Sequence, residues 1–279
     1  YCRWLNNVLL NRGVKTNHLV ESLRWMQEFL EVHLNENEAA FCRGYIAAGC
    51  AALTDTGNIP TRPSYFNHLP APLAGLETFT DALVNGDSTI AQTTTAQLLE
   101  QGLDPIDINT RLIQPAMYEV GIRWETNRIT VAQEHLATAM AQTLMARAIS
   151  KVEYAPRKHR RGLFACIPGN FHSLGLRMVS DAFELAGWEV QYLGADVPFQ
   201  SLLAQTDAWK PDLLGLSMST LNQLPVMKFC LNELRRELGA DCPALMAGGL
   251  AMNQAPDLKG GLGADIWAAN ARQAAEEHT

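Results

Sequence analysis

The sequence predicts two fold classes in one chain: an all-α first half, and an α/β second half built on a five-stranded, doubly wound parallel sheet. Two observations carry this. Up to about residue 160 the apolar residues recur at helical spacing nearly throughout, and beyond it short β-rich runs alternate with helical ones. A run of alternating strands and helices closes on itself as parallel strands with helices on both faces. Length and composition agree. A chain of 279 residues has room for two modest domains, and 47% hydrophobic with 18% charged residues is ordinary for a protein that buries a core.

Taken in order, residues 17–34 and 36–53 read as helices, with Leu19, Leu23, Met26, Phe29 and Leu30 on one face. A connection over residues 58–75 follows, whose prolines (Pro60, Pro63, Pro70 and Pro72) stop helices and mark a boundary. Four helices come next, over 76–85, 88–101, 105–123 and 131–150. Asp87 and Ser88 cap the second, Asp104 before Pro105 starts the third, and Thr130-Val-Ala-Gln133 is a capping box before the fourth. Short connections between them predict an up-down bundle. The basic stretch Lys151–Arg161, with Pro156 inside it, reads as an inter-domain linker or as a docking patch for an acidic partner.

The second half then reads as strand 162–168, helix 174–186, strand 189–193, helix 199–209, strand 212–218, helix 224–238, strand 244–247, a short helical crossover, strand 265–268 and a final helix. This is a flavodoxin-like order of elements. The expected organisation is an N-terminal helical region over 1–70, a four-helix bundle cap over 71–155, and a Rossmann-like domain over 162–279.

Several function classes drop out early. A net charge of −7 and a pI near 5.5 disfavour a nucleic-acid surface, which needs a basic stripe. The longest apolar stretch, around Tyr45–Leu53, is far short of the roughly 18 residues a spanning helix needs. Tyr1-Cys2-Arg3-Trp4 lacks the layout of a cleavable signal, and the missing leading Met suggests a trimmed chain; the expected location, a reducing cytoplasm, follows from the cysteine usage. The six cysteines include no C-x-x-C pair, which argues against zinc and against a disulfide framework.

Ligands of doubly wound sheets sit beyond the carboxyl ends of the strands. At those places stand Gly169-Asn170-Phe171-His172-Ser173-Leu174-Gly175, Leu193-Gly194-Ala195-Asp196, Ser217-Met218-Ser219-Thr220 and Gly248-Gly249. No phosphate-gripping loop and no G-x-G-x-x-G follows the first strand. The third strand does not end in the Asp, nor the fifth in the Lys, of a phospho-acceptor receiver. What remains is a loop histidine flanked by glycines. Alone it is an ordinary hydrogen-bonded loop residue. It cannot build a zinc site by itself, but it can give one axial ligand to a metal held by a macrocycle.

The motif Asn170-x-His172-x-x-Gly175, then Ser217-x-Ser219, then Gly248-Gly249, resembles the D-x-H-x-x-G, S-x-L and G-G pattern of cobalamin-binding domains. Pro115-Ala-Met-Tyr-Glu-Val-Gly121, Trp124 and Glu134-His135-Leu-Ala-Thr138 are similar to the capping bundle that precedes such domains in methionine synthases, corrinoid proteins and CarH-type light-sensing regulators. The resemblance covers about residues 76–279. It implies cobalamin bound between helical cap and sheet domain with its own base displaced, and His172 on cobalt. Asn170 and Ser173 belong to the histidine loop, Gly175 opens the way for the nucleotide tail, Ser217 meets the displaced base, and Ser219 belongs to the same cofactor-binding motif. Gly248 and Gly249 line the tail channel, Trp124 lies on the upper corrin face, and Glu134 or His135 contacts the upper ligand.

Two departures from the pattern matter. The first motif position is Asn170 where Asp is usual, which weakens proton relay through the lower ligand. Trp124 is followed by Glu125, where CarH-type sensors carry a cobalt-ligating His. The leading segment, with Trp4-Leu5-x-x-Val8-Leu9 and Arg12-Gly13-Val14, looks like the extension of bacterial cobalamin photoreceptors, including photocobilins that also hold a bilin such as biliverdin. The expectation is therefore a non-enzymatic cobalamin sensor, responsive to light, holding adenosylcobalamin and acting through a protein partner or effector domain, with no direct contact to nucleic acid or membrane. The alternatives are a corrinoid methyl carrier for a separate methyltransferase and a cobalamin-dependent antirepressor. Homo-oligomerisation is left open.

Overall fold

The computed structural model of the chain describes residues 1–54 and 69–278; Pro60 and Pro63 lie outside the described residues. The chain divides into two compact units, Tyr1–Thr61 with Tyr118–His135, and Arg62–Met117 with Leu136–Thr279.

In the first unit, α1 (Cys2–Leu10), α2 (Thr16–His33) and α3 (Glu36–Thr54) pack on one another. The reversal between α2 and α3 is a reciprocal cap. Asn35 Oδ1 accepts from the Glu38 amide (3.1 Å), and Glu38 Oε2 accepts from the Asn35 amide (3.3 Å). Gly49 lets α1 approach α3, because a side-chain carbon there would lie 3.0 Å from Cys2 Sγ. The stripe expected on α2 is only partly inward. Leu19 is buried, whereas Met26 and Phe29 are exposed with Trp25 and Val32 beside them. The inward stripe runs through Leu19, Leu23, Gln27 and Leu30, at spacings of four, four and three, which leaves Met26 and Phe29 to its outer side. The sequence also carries an element the helical reading gave no bounds, α1 itself.

In the second unit, α4 (Leu76–Asn85) and α5 (Ser88–Glu100) precede α6 (Pro105–Ile108). The expected single helix over 105–123 is interrupted. After α6 comes one π-helical stretch, Asn109–Ile113, and then α7 (Gln114–Glu125) and α8 (Val131–Ile149), of which Tyr118–His135 belongs to the first unit. The Arg111 carbonyl accepts from the Leu73 amide (3.0 Å) while Arg111 Nε donates to the Ala71 carbonyl (3.1 Å). The incoming chain is thus latched onto the π stretch. Phe79, Leu83, Ala91, Ile108, Leu112, Ala116, Ala141, Leu144 and Met145 are buried along these helices. The predicted caps are made: the Asp87 side chain accepts from the Ile90 amide (3.0 Å) and that of Asp104 from the Asp107 amide (2.7 Å).

The same unit holds the sheet. Its strands β1 (Arg161–Cys166), β2 (Glu189–Gly194), β3 (Leu213–Ser217), β4 (Ala244–Gly248) and β5 (Ile266–Trp267) are all parallel, in the order β2-β1-β3-β4-β5. Alternation along β1 explains the two layers. Leu163 and Ala165 face α10 (Phe199–Trp209) and α11 (Leu224–Leu238) through Leu202, Met227 and Leu231. Phe164 and Cys166 face α9 (Leu174–Leu185) and α13 (Ala271–His278) through Phe183 and Ala274. Gly215 is dictated by Phe164, whose ring lies 2.5 Å from where a side-chain carbon would start. α12 (Leu250–Gln254) makes the short crossover to β5. Arg272 on α13 ties the sheet to the helical part, donating to both Asp104 oxygens (2.7 and 2.6 Å) and pairing with Asp107 (3.0 Å).

The basic stretch before β1 is exposed but not loose. The Ala155 amide donates to the Leu185 carbonyl and the Lys158 amide to the Gly187 carbonyl, both at 2.9 Å. All six cysteines are free; Cys166 and Cys230 are buried, and burial pushes their thiols up to about 12 and about 11. No helix among the described residues is long and apolar enough to cross a membrane.

Candidate functional site

The register aligns the carboxyl ends of three strands in one row, Cys166 beside Ser217 and Ser217 beside Gly248. The chain departs in opposite directions after β1 and after β3, because β2 lies outside β1 and β4 outside β3. That divergence leaves a crevice at the end of this pair. The histidine loop, residues 167–173, stands at its lip.

The loop is fixed from several sides. The Ile167 amide donates to the Ser217 carbonyl (3.2 Å), prolonging the β1–β3 ladder. Fully buried Asn170 uses both ends of its amide. Its Nδ2 donates to the same Ser217 carbonyl (2.9 Å), and its Oδ1 accepts from the His172 backbone amide (3.2 Å). Asp196, held at φ 49°, accepts from the Gly169 amide (2.7 Å), and its own amide donates to the Asn170 carbonyl (2.9 Å). Gln223 Nε2 donates to the Gly169 carbonyl (2.8 Å) while its Oε1 accepts from the Ser219 amide (2.9 Å). Tyr192 on β2 donates its hydroxyl to the Ser173 carbonyl (3.1 Å). The outcome is a rigid backbone carrying an exposed imidazole, His172, next to an exposed Phe171.

Asn170 therefore orients the histidine through its backbone, not through its ring. The Ser217 carbonyl takes one of the two N–H donors of the side chain and holds the amide against the backbone.

The other motif residues fall as follows. Ser217 and Ser219 are buried at the end of β3. Gly248 accepts from the Met218 amide (3.1 Å). Gly249, at φ 105°, is obligatory, since a side-chain carbon there would sit 2.2 Å from the Met218 carbonyl oxygen and 2.8 Å from Ser217 Oγ. Gly175, in the first turn of α9, faces open space, with nothing within 4 Å of where its side chain would start. Behind the loop, Asp181 is buried and pairs with Arg177 (2.5 Å), whose guanidinium lies over the Tyr192 ring. Burial pushes the Asp181 carboxyl up to about 6 against the pull of Arg177. Sequence reasoning places Asp196 at a strand end without giving it a role, and misses Gln223 and Tyr192. Of these two, Gln223 leaves a signal, as the last residue of the capping box Thr220-x-x-Gln223.

Trp124, Glu134 and His135 belong to the other unit. Trp124 is half-buried at the end of α7, with the Arg12 guanidinium 5.0 Å from its ring centroid. His135 Nδ1 and Glu134 Oε2 are 2.5 Å apart.

Among the described residues no three His, Cys, Asp or Glu side chains gather into a metal centre. One exposed imidazole on a braced loop, beside a glycine open to the outside, is a donor set suited to the axial position of a metal whose other ligands come from a macrocycle. By this measure the residues fit a corrin.

Comparison with known proteins points the same way. Two family models described as B12 binding domain match, one over residues 76–149 and the other over residues 160–277. The HTH-type transcriptional repressor CarH of Myxococcus xanthus is 30% identical over 179 residues, which cover 63% of this chain and 59% of that repressor. Trimethylamine corrinoid protein 1 of Methanosarcina mazei is 26% identical over 197 residues, covering 68% of this chain and 89% of its own length. Among solved structures, the monomethylamine corrinoid protein of Methanosarcina barkeri superposes with a TM-score of 0.62 at 23% identity, over 73% of this chain and 98% of the other.

Proposed function

The chain belongs to the cobalamin-binding domain proteins, and from that premise we propose that it is a sensor, responsive to light, in which His172 supplies the lower axial ligand of cobalt. The bound corrin would supply a cobalt–ligand bond that light or ligand exchange can break. Everything else is done by the polypeptide. The Ser217 carbonyl, Asn170, Asp196 and Gln223 fix the His172 backbone before the cofactor arrives, which lowers the ordering cost of binding. Gly175 leaves the first turn of α9 open for the nucleotide tail, and Ser217 with Ser219 takes the displaced base.

One observation favours a sensor over a methyl carrier: both ends of the Asn170 amide are occupied. A carrier gains from a carboxylate that accepts the imidazole N–H and stores a proton as the methyl leaves. Asn170 cannot ionise, and its geometry holds the loop rather than the ring. Similarity to the methylamine corrinoid proteins supports the carrier as the second reading, which would pair the chain with a methyltransferase. Trp124 facing the upper side of the corrin, Glu134 or His135 near the upper ligand, adenosylcobalamin as the cofactor form, a bilin on the N-terminal helices and a downstream protein partner complete the proposal.

The test is spectroscopic. The full chain is loaded with adenosylcobalamin in the dark, and spectra and elution volume are recorded before and after green light. A lasting change in both supports the sensor. An unaltered spectrum and size, together with methyl transfer from a partner enzyme, would replace it with the carrier.

A further inference from the structure

The end of α7 is held by the N-terminal helix. Arg12 Nη2 donates to the Trp124 carbonyl (3.0 Å) and Nη1 to the Glu125 carbonyl (3.3 Å), while Nη1 also donates to the Val8 carbonyl of α1 (3.0 Å). These are the last carbonyls of α7, at the negative end of its dipole, so a cation is a group they favour even though the Trp124 carbonyl also accepts from the Asn127 amide (3.0 Å). The same guanidinium lies over the Trp124 ring. A second contact closes the arrangement. Trp4 Nε1 on α1 donates to the Glu125 carboxylate (2.8 Å). Backbone, ring and neighbouring carboxylate of the Trp124–Glu125 turn are thus each bonded to α1 or to the residue two positions beyond it. The division into compact units agrees, since it places Tyr118–His135 with the N-terminal residues.

We propose that Arg12 and Trp4 are positioning residues for the Trp124–Glu125 turn and make α1 the element that responds first when the group faced by Trp124 changes. The second half of this statement rests on the sensor reading; the first does not. Arg12 is exposed and Trp4 is 41% exposed. Water competes with every bond in the cluster, so the latch opens at small cost, as a responsive contact needs. Arg rather than Lys is required, because only a planar fork can stack on an indole and reach two carbonyls together.

Amide hydrogen exchange on the full chain tests both halves. Without cofactor, Arg12→Ala should speed exchange in α1 and at Thr126–Arg128 by about fivefold or more, with Arg12→Lys between it and the wild type. Trp4→Phe, which deletes one N–H and keeps an aromatic ring, guards against general unfolding and should give a smaller change at the same places. Unchanged exchange at residues 122–128 in Arg12→Ala overturns the latch. With adenosylcobalamin bound, illumination should alter α1 exchange in the wild type but not in Arg12→Ala, while the spectra of the two stay alike. A light-driven spectral change with α1 exchange unmoved in the wild type overturns the coupling. A spectrum that light leaves unchanged removes the sensor reading instead, and the cofactor-free comparison still decides the latch.

Discussion

Replacing Asp181 by an asparagine isolates the strongest electrostatic tension beneath the histidine loop. The carboxyl is buried on α9, and desolvation outweighs its pairing with Arg177, lifting it from the ordinary 3.8 to about 6. A folded-state value above the unfolded one means that the native protein binds this proton more tightly than the unfolded chain does. Stability from this group is therefore complete below about pH 4 and is lost as pH rises through about 6. The loss by pH 7.5 is about 3 kcal/mol, at 1.36 kcal/mol for each pH unit separating the two values. An amide in place of the carboxyl would be neutral throughout. Urea denaturation of the cofactor-free chain and of Asp181→Asn, followed by far-UV circular dichroism at several pH values, gives the comparison directly. The variant should gain on the wild type by up to about 3 kcal/mol between pH 4 and 7.5. A gap that does not change with pH would refute the reasoning, because it would mean that Asp181 ionises in the native state as freely as in water.

Two further substitutions probe the loop and the cofactor's path. Asn170→Asp sets an acceptor against the Ser217 carbonyl at a fully buried position, and should cost about 2–3 kcal/mol at pH 7.5. The penalty should shrink in acid, where a protonated carboxyl donates again, and an equal penalty at pH 5 would contradict the hydrogen-bond assignment. Gly175→Ala meets nothing within 4 Å and should leave the cofactor-free melting temperature unchanged or raise it slightly, since Ala is the better helix former by up to about 1 kcal/mol. Its affinity for cobalamin, by titration, should fall about tenfold or more if the nucleotide tail passes there; unchanged affinity would move the tail elsewhere.

Much of this was legible in the residues, for identifiable reasons. The five strands and their helices announce themselves through local alternation, and local caps such as Asp87 and Asp104 mark helix starts within a residue. The row of strand ends followed from topology alone, because parallel strands separated by helices bring their carboxyl ends together. What escaped is set by distance along the chain. The π stretch at Asn109–Ile113 is latched by Leu73 and Ala71, some forty residues earlier, and helical periodicity cannot register such a partner. Arg12 and Trp4 meet Trp124 and Glu125 across 112 and 121 positions. Asp196 and Gln223 brace the His172 loop from two other strand ends. The outward turn of Met26 and Phe29 had the opposite cause: α2 is apolar over more of its circumference than its neighbours cover, so spacing alone does not say which side faces in.

The claim on which the account depends is that the His172 imidazole occupies the lower position on cobalt. Labelling the chain with nitrogen-15 histidine, loading it with cobalamin and reducing the metal to paramagnetic cobalt(II) tests it most directly. A coordinated histidine nitrogen should turn the three-line superhyperfine pattern of nitrogen-14 in the electron paramagnetic resonance spectrum into a two-line pattern. His172→Ala, equally labelled, should lose the two-line pattern. A three-line pattern that persists in the labelled wild type would show the cofactor's own base still bound to cobalt, and would contradict the account.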